Sequence, residues 1–172
     1  MRVIIDVRLL AKGGYSGIEE YTRNLVSSIL EQDKENIHTL FYNGLRKEAL
    51  PHAWSAHPGV HVVARNIPNK LFDASSRLFA LPKIENLCGG GDVVVSPHFN
   101  VVSTTLPHVV TFHDLSFLHH PNFFPWRKRM WHWMQDYKRT AVRAAHIIAI
   151  SEFTKHDLVT LLRIPEEKIS AI

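Results

Sequence analysis

The sequence predicts a doubly wound α/β domain, a mostly parallel sheet with helices on both faces. Three observations carry this. Short β-branched runs, among them "RVIIDV" (2–7), "DVVVS" (92–96) and "HVVTFHD" (108–114), are apolar enough for strands buried on both faces. Segments of helical period alternate with such runs along the chain. The strand-to-helix connections are short, which puts loops at the carboxyl ends of the strands, where sheets of this kind bind ligands.

The elements follow in order. After the strand at 2–7 comes "AKGGYSGIEEYTRNL" (11–25), where the pattern switches to helical spacing. Ile18, Tyr21, Leu25 and Ile29, with Leu30 at the edge, share one face of a helix predicted over 17–32, with Ser16 placed to cap it. "HTLFY" (38–42) and "VHVVA" (60–64) read as strands between linkers that carry Pro and Gly. "KLFDASSRLFAL" predicts a helix over 70–81, closed by Pro82. The loop "PHFNVVSTTLP" joins the strands at 92–96 and 108–114, and "LSFLHHPNFFP" leads to the longest predicted helix, 126–145. Its stripe of Trp126, Met130, Trp133, Tyr137 and Ala141 is expected in the core. A strand at 146–151, a helix from 152 capped by Ser151, and "EKISAI" as a further strand complete the pattern. Stopping in mid-strand, residues 1–172 read as one domain of something longer.

Bulk composition narrows the function classes. A chain of 172 residues, 45% hydrophobic and 21% charged, is that of a globular domain with a substantial core and excludes disorder. No apolar run approaches the roughly 20 residues of a membrane-spanning helix. "MRVIIDVRLL" has an Asp inside its short apolar stretch and no small-residue cleavage site after it, so a secretory leader is not expected. The single cysteine, Cys88, excludes an intramolecular disulfide and fits a reducing, cytoplasmic setting; it reads as structural. The twelve histidines lack structural zinc spacing, and no metal site is expected. A net charge of +4 is modest, and nucleic acid is not an expected partner.

Several stretches could carry chemistry. In the glycine loop, G-G-x-x-G stands where a dinucleotide fingerprint would need G-x-G-x-x-G. Its glycines permit either a tight turn or a close backbone approach with N–H groups offered to an anion. Glu19 and Glu20 suit the helix dipole and weigh against a phosphate held directly at that terminus. His113 falls at the carboxyl end of an apolar strand, followed by Asp114; an imidazole there can exchange a proton or give a neutral hydrogen bond. The helix after Pro125 sets Arg127, Lys128, Arg129, Lys138, Arg139 and Arg143 against one acid, Asp136. It is either a solvated basic face or, with Trp131, a contact for anionic lipid or a polyanion. Ser151 begins a helix at a strand's carboxyl end, a position for a ligand contact that capping alone would also explain.

Four stretches, in this order, resemble the N-terminal half of a family 4 (group 1) retaining glycosyltransferase of the GT-B fold. They are the glycine loop with "SGIEEYTRNLV", "VVVSPHFNVVSTTLPHVVTFHDLSFLHHP", the basic aromatic helix, and "AHIIAISEFTKHDLV" through "IPEEKISAI". The resemblance implies a Rossmann-like, acceptor-side domain whose partner, a C-terminal domain holding most of the nucleotide-sugar, is absent from this chain. It implies that Gly13, Gly14, Ser16 and Gly17 lie near the donor diphosphate and the acceptor, and that His113 projects toward the donor sugar at the reaction centre. Ser96, His98, Asp114 and Ser151 would face the same acceptor cleft. The implied reaction moves mannose or another hexose, with retention, to a glycan or lipid-linked acceptor, without a metal or other cofactor. The enzyme would be cytoplasmic, with peripheral contact to the inner membrane face through Arg127, Lys128, Arg129 and Trp131. Where many relatives carry Gly-Arg this chain has Glu19-Glu20, so no arginine contact to phosphate carries over, and without the second domain the chain alone is expected to be inactive. The competing readings are a non-catalytic basic binding module and half of a sugar-nucleotide epimerase.

Overall fold

The N-terminal apolar run becomes the middle of a sheet. In β1 (Arg2–Asp6), Ile4 and Ile5 are fully buried, as a strand covered on both faces requires. The computed structural model describes residues 1–13, 16–45 and 49–172. From β1 the chain makes a 3-10 turn (Arg8–Lys12) and enters α1 (Gly17–Gln32), then β2 (Ile37–Asn43), α2 (His52–Ser55) and β3 (Val60–Arg65). It continues through α3 (Asn69–Phe79), α4 (Ile84–Cys88), β4 (Val93–Ser96), β5 (His108–Phe112) and α5 (Ser116–His119). The remainder is α6 (Trp126–Met134), α7 (Tyr137–Arg143), β6 (His146–Ala149), α8 (Glu152–Leu162) and β7 (Ile169–Ala171).

The seven strands form one sheet in the order β3-β2-β1-β4-β5-β6-β7. Every pairing is parallel, with Ile4 lying between Thr39 of β2 and Val94 of β4. The expected α/β, doubly wound, Rossmann-like architecture is therefore the one observed. Val26 and Leu30 of α1 and Trp54 of α2 pack on one face, against Val3, Ile5, Leu40 and Tyr42. Phe72 of α3 and Ile84 of α4 cover the opposite face at Ile4, Phe41 and Val94. A third cluster joins Val110, Phe112 and Ile147 to Ala141 of α7 and Leu158 of α8.

Two helical faces differ from the predicted stripes. In α1 the buried residues are Glu19, Thr22, Val26 and Leu30; Leu30 belongs to the predicted stripe, whereas the other three lie one position on from the predicted Ile18, Tyr21 and Leu25. Glu19 and Thr22 spend their polarity locally. The Glu19 carboxylate accepts the Ser16 N–H at 2.6 Å, and the Thr22 hydroxyl donates to the Ile18 carbonyl at 2.7 Å. The single helix predicted over 126–145 is two helices, broken where Asp136 takes a left-handed φ of 49°. Among its described residues α6 buries none, and Trp126, Met130 and Trp133 are 65%, 53% and 59% exposed rather than in the core. Only Tyr137 and Ala141 of that stripe pack inward.

The break is set by a buried polar network. Arg8, 2% exposed, forms ion pairs at 3.0 Å with Asp6 and with Asp73 of α3. Its third arm donates to the Val101 carbonyl at 2.6 Å. Fully buried Gln135 closes the ring: its amide donates to Asp73 at 3.0 Å and accepts the Val101 N–H at 2.9 Å. A side chain that must satisfy both ends of an amide in the interior fixes the chain there. Arg8→Met leaves two buried carboxylates without their cation, and should lower unfolding free energy by about 3–5 kcal/mol in urea titrations. Gln135→Leu should cost about 1–3 kcal/mol.

Candidate functional site

The strand order reverses direction between β1 and β4, and a ligand crevice is expected beyond the carboxyl ends there. An open cleft lies at this end of the sheet, lined by Gly17, Ile18, Tyr21, His113, Asp114 and Ile150. Gly17, His113 and Asp114 thus come together. Ile18, Tyr21, Ile150 and Ile172 line the rest of the cleft. Gly17 and Tyr21 stand four apart, one turn of α1, a spacing that could have singled out Tyr21 from the sequence.

The glycines of the loop differ in role. Gly13 has φ 66° and donates its N–H to the Leu10 carbonyl at 3.2 Å, ending the 3-10 turn, so here the tight-turn reading applies. Gly14 lies outside the described residues. Gly17 begins α1, and a Cβ added there would meet nothing within 4 Å among the described residues. Its missing side chain leaves room in the cleft rather than relieving the backbone. Ser16 is extended and exposed, with its N–H already held by Glu19.

His113 is 9% exposed and follows the last residue of β5. Its Nε2 lies 2.8 Å from the Pro97 carbonyl, which can only accept, so Nε2 carries the proton. Burial pulls the imidazole below its ordinary value, outweighing the Pro97 carbonyl and the Asp114 charge. The neutral ring then has Nδ1 as an acceptor. The Tyr21 ring meets His113 edge-on, 4.9 Å between centroids, and Thr154 of α8 donates to the His113 carbonyl at 3.3 Å. Asp114 is exposed and accepts from the Ser116 N–H and hydroxyl at 3.0 and 2.6 Å, which ties it to the start of α5. Ser151 is half-buried and caps α8, accepting the Thr154 N–H at 3.1 Å.

Ser96 and His98, expected at the cleft, are placed beneath it. Ser96 is wholly buried, its hydroxyl 2.8 Å from Nε2 of His108. It shares a sheet face with Val94 and His108, so it points at the covering layer and not at the crevice. His98 is 3% exposed, with Nε2 3.9 Å from the Asp6 carboxylate. Burial, with Arg8 adding to it, holds this imidazole well below its ordinary value. Burial also pushes the Cys88 thiol up to about 12, which makes it a poor nucleophile. Arg127, Lys128 and Arg129 are exposed on α6, and Trp131 is 39% exposed beside Phe99. Among the described residues no helix is long and apolar enough to cross a membrane.

These features define one Rossmann-like half of a GT-B architecture, its crevice opening at the carboxyl ends of a parallel sheet. The chain belongs to Glycosyltransferase Family 4, whose model matches residues 15–172. In fold it is similar to a ugt transferase from Siraitia grosvenorii, whose crystal structure is a complex with UDP. The match has a TM-score of 0.53 and 11% identity, and covers 100% of this chain and 51% of that one. The chain thus spans about half the length of that relative. No curated protein matches it.

The buried histidines impose a pH dependence on stability. Burial pushes His108 down to about 4, so the unfolded chain binds a proton there that the native state refuses. That contribution is complete above the unfolded value of about 6.5 and is lost as pH falls toward about 4, amounting to about 3 kcal/mol. Asp6, pushed up by burial, acts with the opposite sign. The slope of unfolding free energy between pH 7 and 4.5, compared in the native chain and His108→Gln, isolates the histidine; the variant should give the flatter curve.

Proposed function

We propose that this chain is the acceptor-side, N-terminal half of a retaining glycosyltransferase. It would transfer a hexose such as mannose from a nucleotide-sugar to a glycan or lipid-linked acceptor. The observation that carries the reading is the convergence of Gly17, Tyr21, His113 and Asp114 on one open cleft at the carboxyl end of the sheet, in a family 4 chain. The UDP in the structural relative supports a nucleoside diphosphate as the leaving group. Most of that donor would be held by a second α/β domain, a reading supported by the half-length span of the match.

Three of the cleft residues have a role in this reading. The unprotonated Nδ1 of His113 accepts a hydrogen bond from a donor-sugar hydroxyl, while the Pro97 carbonyl and Tyr21 hold the ring in orientation. The open space at Gly17 lets the diphosphate approach the start of α1. With the Ser16 N–H taken by Glu19 and the Glu20 N–H by the Ser16 carbonyl, the contact falls to the amides of Gly17 and Ile18. In front-face displacement the bond from the anomeric carbon to the diphosphate breaks as the acceptor oxygen bonds on the same face. The departing phosphate takes the acceptor proton, so no protein nucleophile is required. The chain then contributes positioning and charge stabilisation, without a resident metal or cofactor.

The exposed Trp126, Met130 and Trp133, set among Arg127, Lys128 and Arg129, favour a cytoplasmic enzyme resting on the inner membrane surface. Exchange of all three cations for Glu should abolish co-sedimentation with vesicles containing phosphatidylglycerol. Retained binding would count against this contact.

Turnover tests the main reading. A protein carrying both domains should release nucleoside diphosphate from a nucleotide-sugar in the presence of acceptor, whereas residues 1–172 alone should not. In that enzyme His113→Ala should lower kcat by about a hundredfold, read at a temperature where the variant is folded, since losing the ring and its Pro97 hydrogen bond should itself cost about 1–3 kcal/mol of stability. Gly17→Leu should leave stability within about 1 kcal/mol and raise KM for the nucleotide-sugar, because the new side chain fills the cleft. An enzyme of full length that consumes no nucleotide-sugar would refute the assignment.

A further inference from the structure

A second concave site lies away from the cleft, between the end of α3, the loop at 101–106 and α7. Its wall includes His108, the first residue of β5, whereas His113 follows the last. Five residues of strand separate them, about 16 Å. Among the described residues lining it are Arg77, Arg139 and Arg143, with Asp136 as the acidic side chain, so cationic groups predominate.

The carboxylate does not saturate those cations. Asp136 approaches Arg77 only to 3.8 Å and Arg139 only to 3.9 Å, beyond hydrogen-bonding distance. Arg77 is nevertheless fixed: its guanidinium stacks 3.9 Å over the Trp133 ring and donates to the Trp133 carbonyl. Ser76 also lines the cavity, is 4% exposed, and has a hydroxyl with no partner among the described residues. A buried hydroxyl left unpaired is costly unless something in the cavity meets it. His108 stays neutral, pushed by burial down to about 4, and adds no charge of its own.

We propose that this cavity binds a phosphate group, held by the forks of Arg77, Arg139 and Arg143 and by the Ser76 hydroxyl. Planar guanidinium pairs suit the tetrahedral oxygens of a phosphate, and a neutral hydroxyl donor completes such a site. The rim indicates how the phosphate arrives. Leu78, Phe79 and Leu81, the sequence neighbours of the lining residue Ala80, are 66%, 72% and 52% exposed, apolar surface that suits a lipid carrying the headgroup. A free phosphate or phosphorylated metabolite presents the same chemistry to the arginines.

The site does not depend on sugar transfer, so residues 1–172 suffice to test it. Arg139→Ala/Arg143→Ala alters two exposed side chains and should leave the melting temperature unchanged. Calorimetric titration with inorganic phosphate, and co-sedimentation with phosphatidylcholine vesicles with and without phosphatidic acid, are run in parallel. The native chain should bind at least one probe, with affinity at least tenfold weaker in the double variant. Arg139→Lys/Arg143→Lys should recover part of the loss. Vesicle binding that depends on phosphatidic acid and on these arginines identifies a lipid phosphate; binding of inorganic phosphate alone identifies a free one. Charge reversal at Arg127, Lys128 and Arg129 should leave the phosphate titration unchanged. The proposal fails if neither probe binds, or if the double variant binds as the native chain does.

Discussion

Arg8 is a cation in the interior, and the arrangement around it follows from that fact. A guanidinium removed from water must be met by carboxylates and carbonyls at bonding distance, or the fold loses several kcal/mol. Asp6 comes from the end of the central strand, Asp73 from the helix on one face, and Val101 from the long loop between β4 and β5. The Phe72 ring lies under the charge, 4.7 Å from its centre. One residue therefore fixes the distances among three parts of the chain that share no regular hydrogen bonding. It also begins the 3-10 turn that leads to the glycine loop, so the cleft's near wall starts from a rigid point.

The network has a second effect, at the surface. Holding Gln135 inside ends α6 and restarts the helix as α7, which turns the aromatic side of α6 outward. Exposed tryptophans among cations on a surface helix and a basic cavity behind them are thus consequences of satisfying a buried amide. The cleft sits apart from that cavity, at the other end of β5, and its walls are built by helix starts: Gly17 and Tyr21 from α1, and the Thr154 contact from α8. The cleft and the basic cavity occupy opposite ends of β5, while α6 packs through Trp131 and His132 on Phe99 and Phe117 near the cleft end.

Much of the fold was legible because buried parallel strands must be apolar, and runs such as "VVVS" or "HVVTF" admit few other readings. The position of His113 and Asp114 at the carboxyl end of β5 was legible for a related reason, because they are the first polar residues after such a run. Where polar residues are buried, hydropathy misleads. Glu19, Thr22 and Gln135 look like surface positions, so hydropathy puts the first turns of the α1 stripe one residue early, though not Leu30, and gives no sign of the break at Asp136. Ser96 and His98 were misplaced because a strand end specifies height in the sheet but not which face a side chain takes. The His108 partner that decides the matter for Ser96 is twelve residues away. The glycines were ambiguous in sequence since a turn and an opening call for the same residue; φ at Gly13 and empty space at Gly17 separate them.

Gln135 is read by its polarity and not by its size. Its nitrogen faces a carboxylate at 3.0 Å and its oxygen faces an amide N–H at 2.9 Å, so only one orientation of the group is compatible with the site. Deamidation would exchange that nitrogen for oxygen with almost no change in volume. Two carboxylates would then face each other in the interior, one would have to take up a proton, and the anchor of α6 would become acid-dependent. A modification of a single heavy atom, invisible to packing, would thus convert a permanent support of the helix into a titrating one.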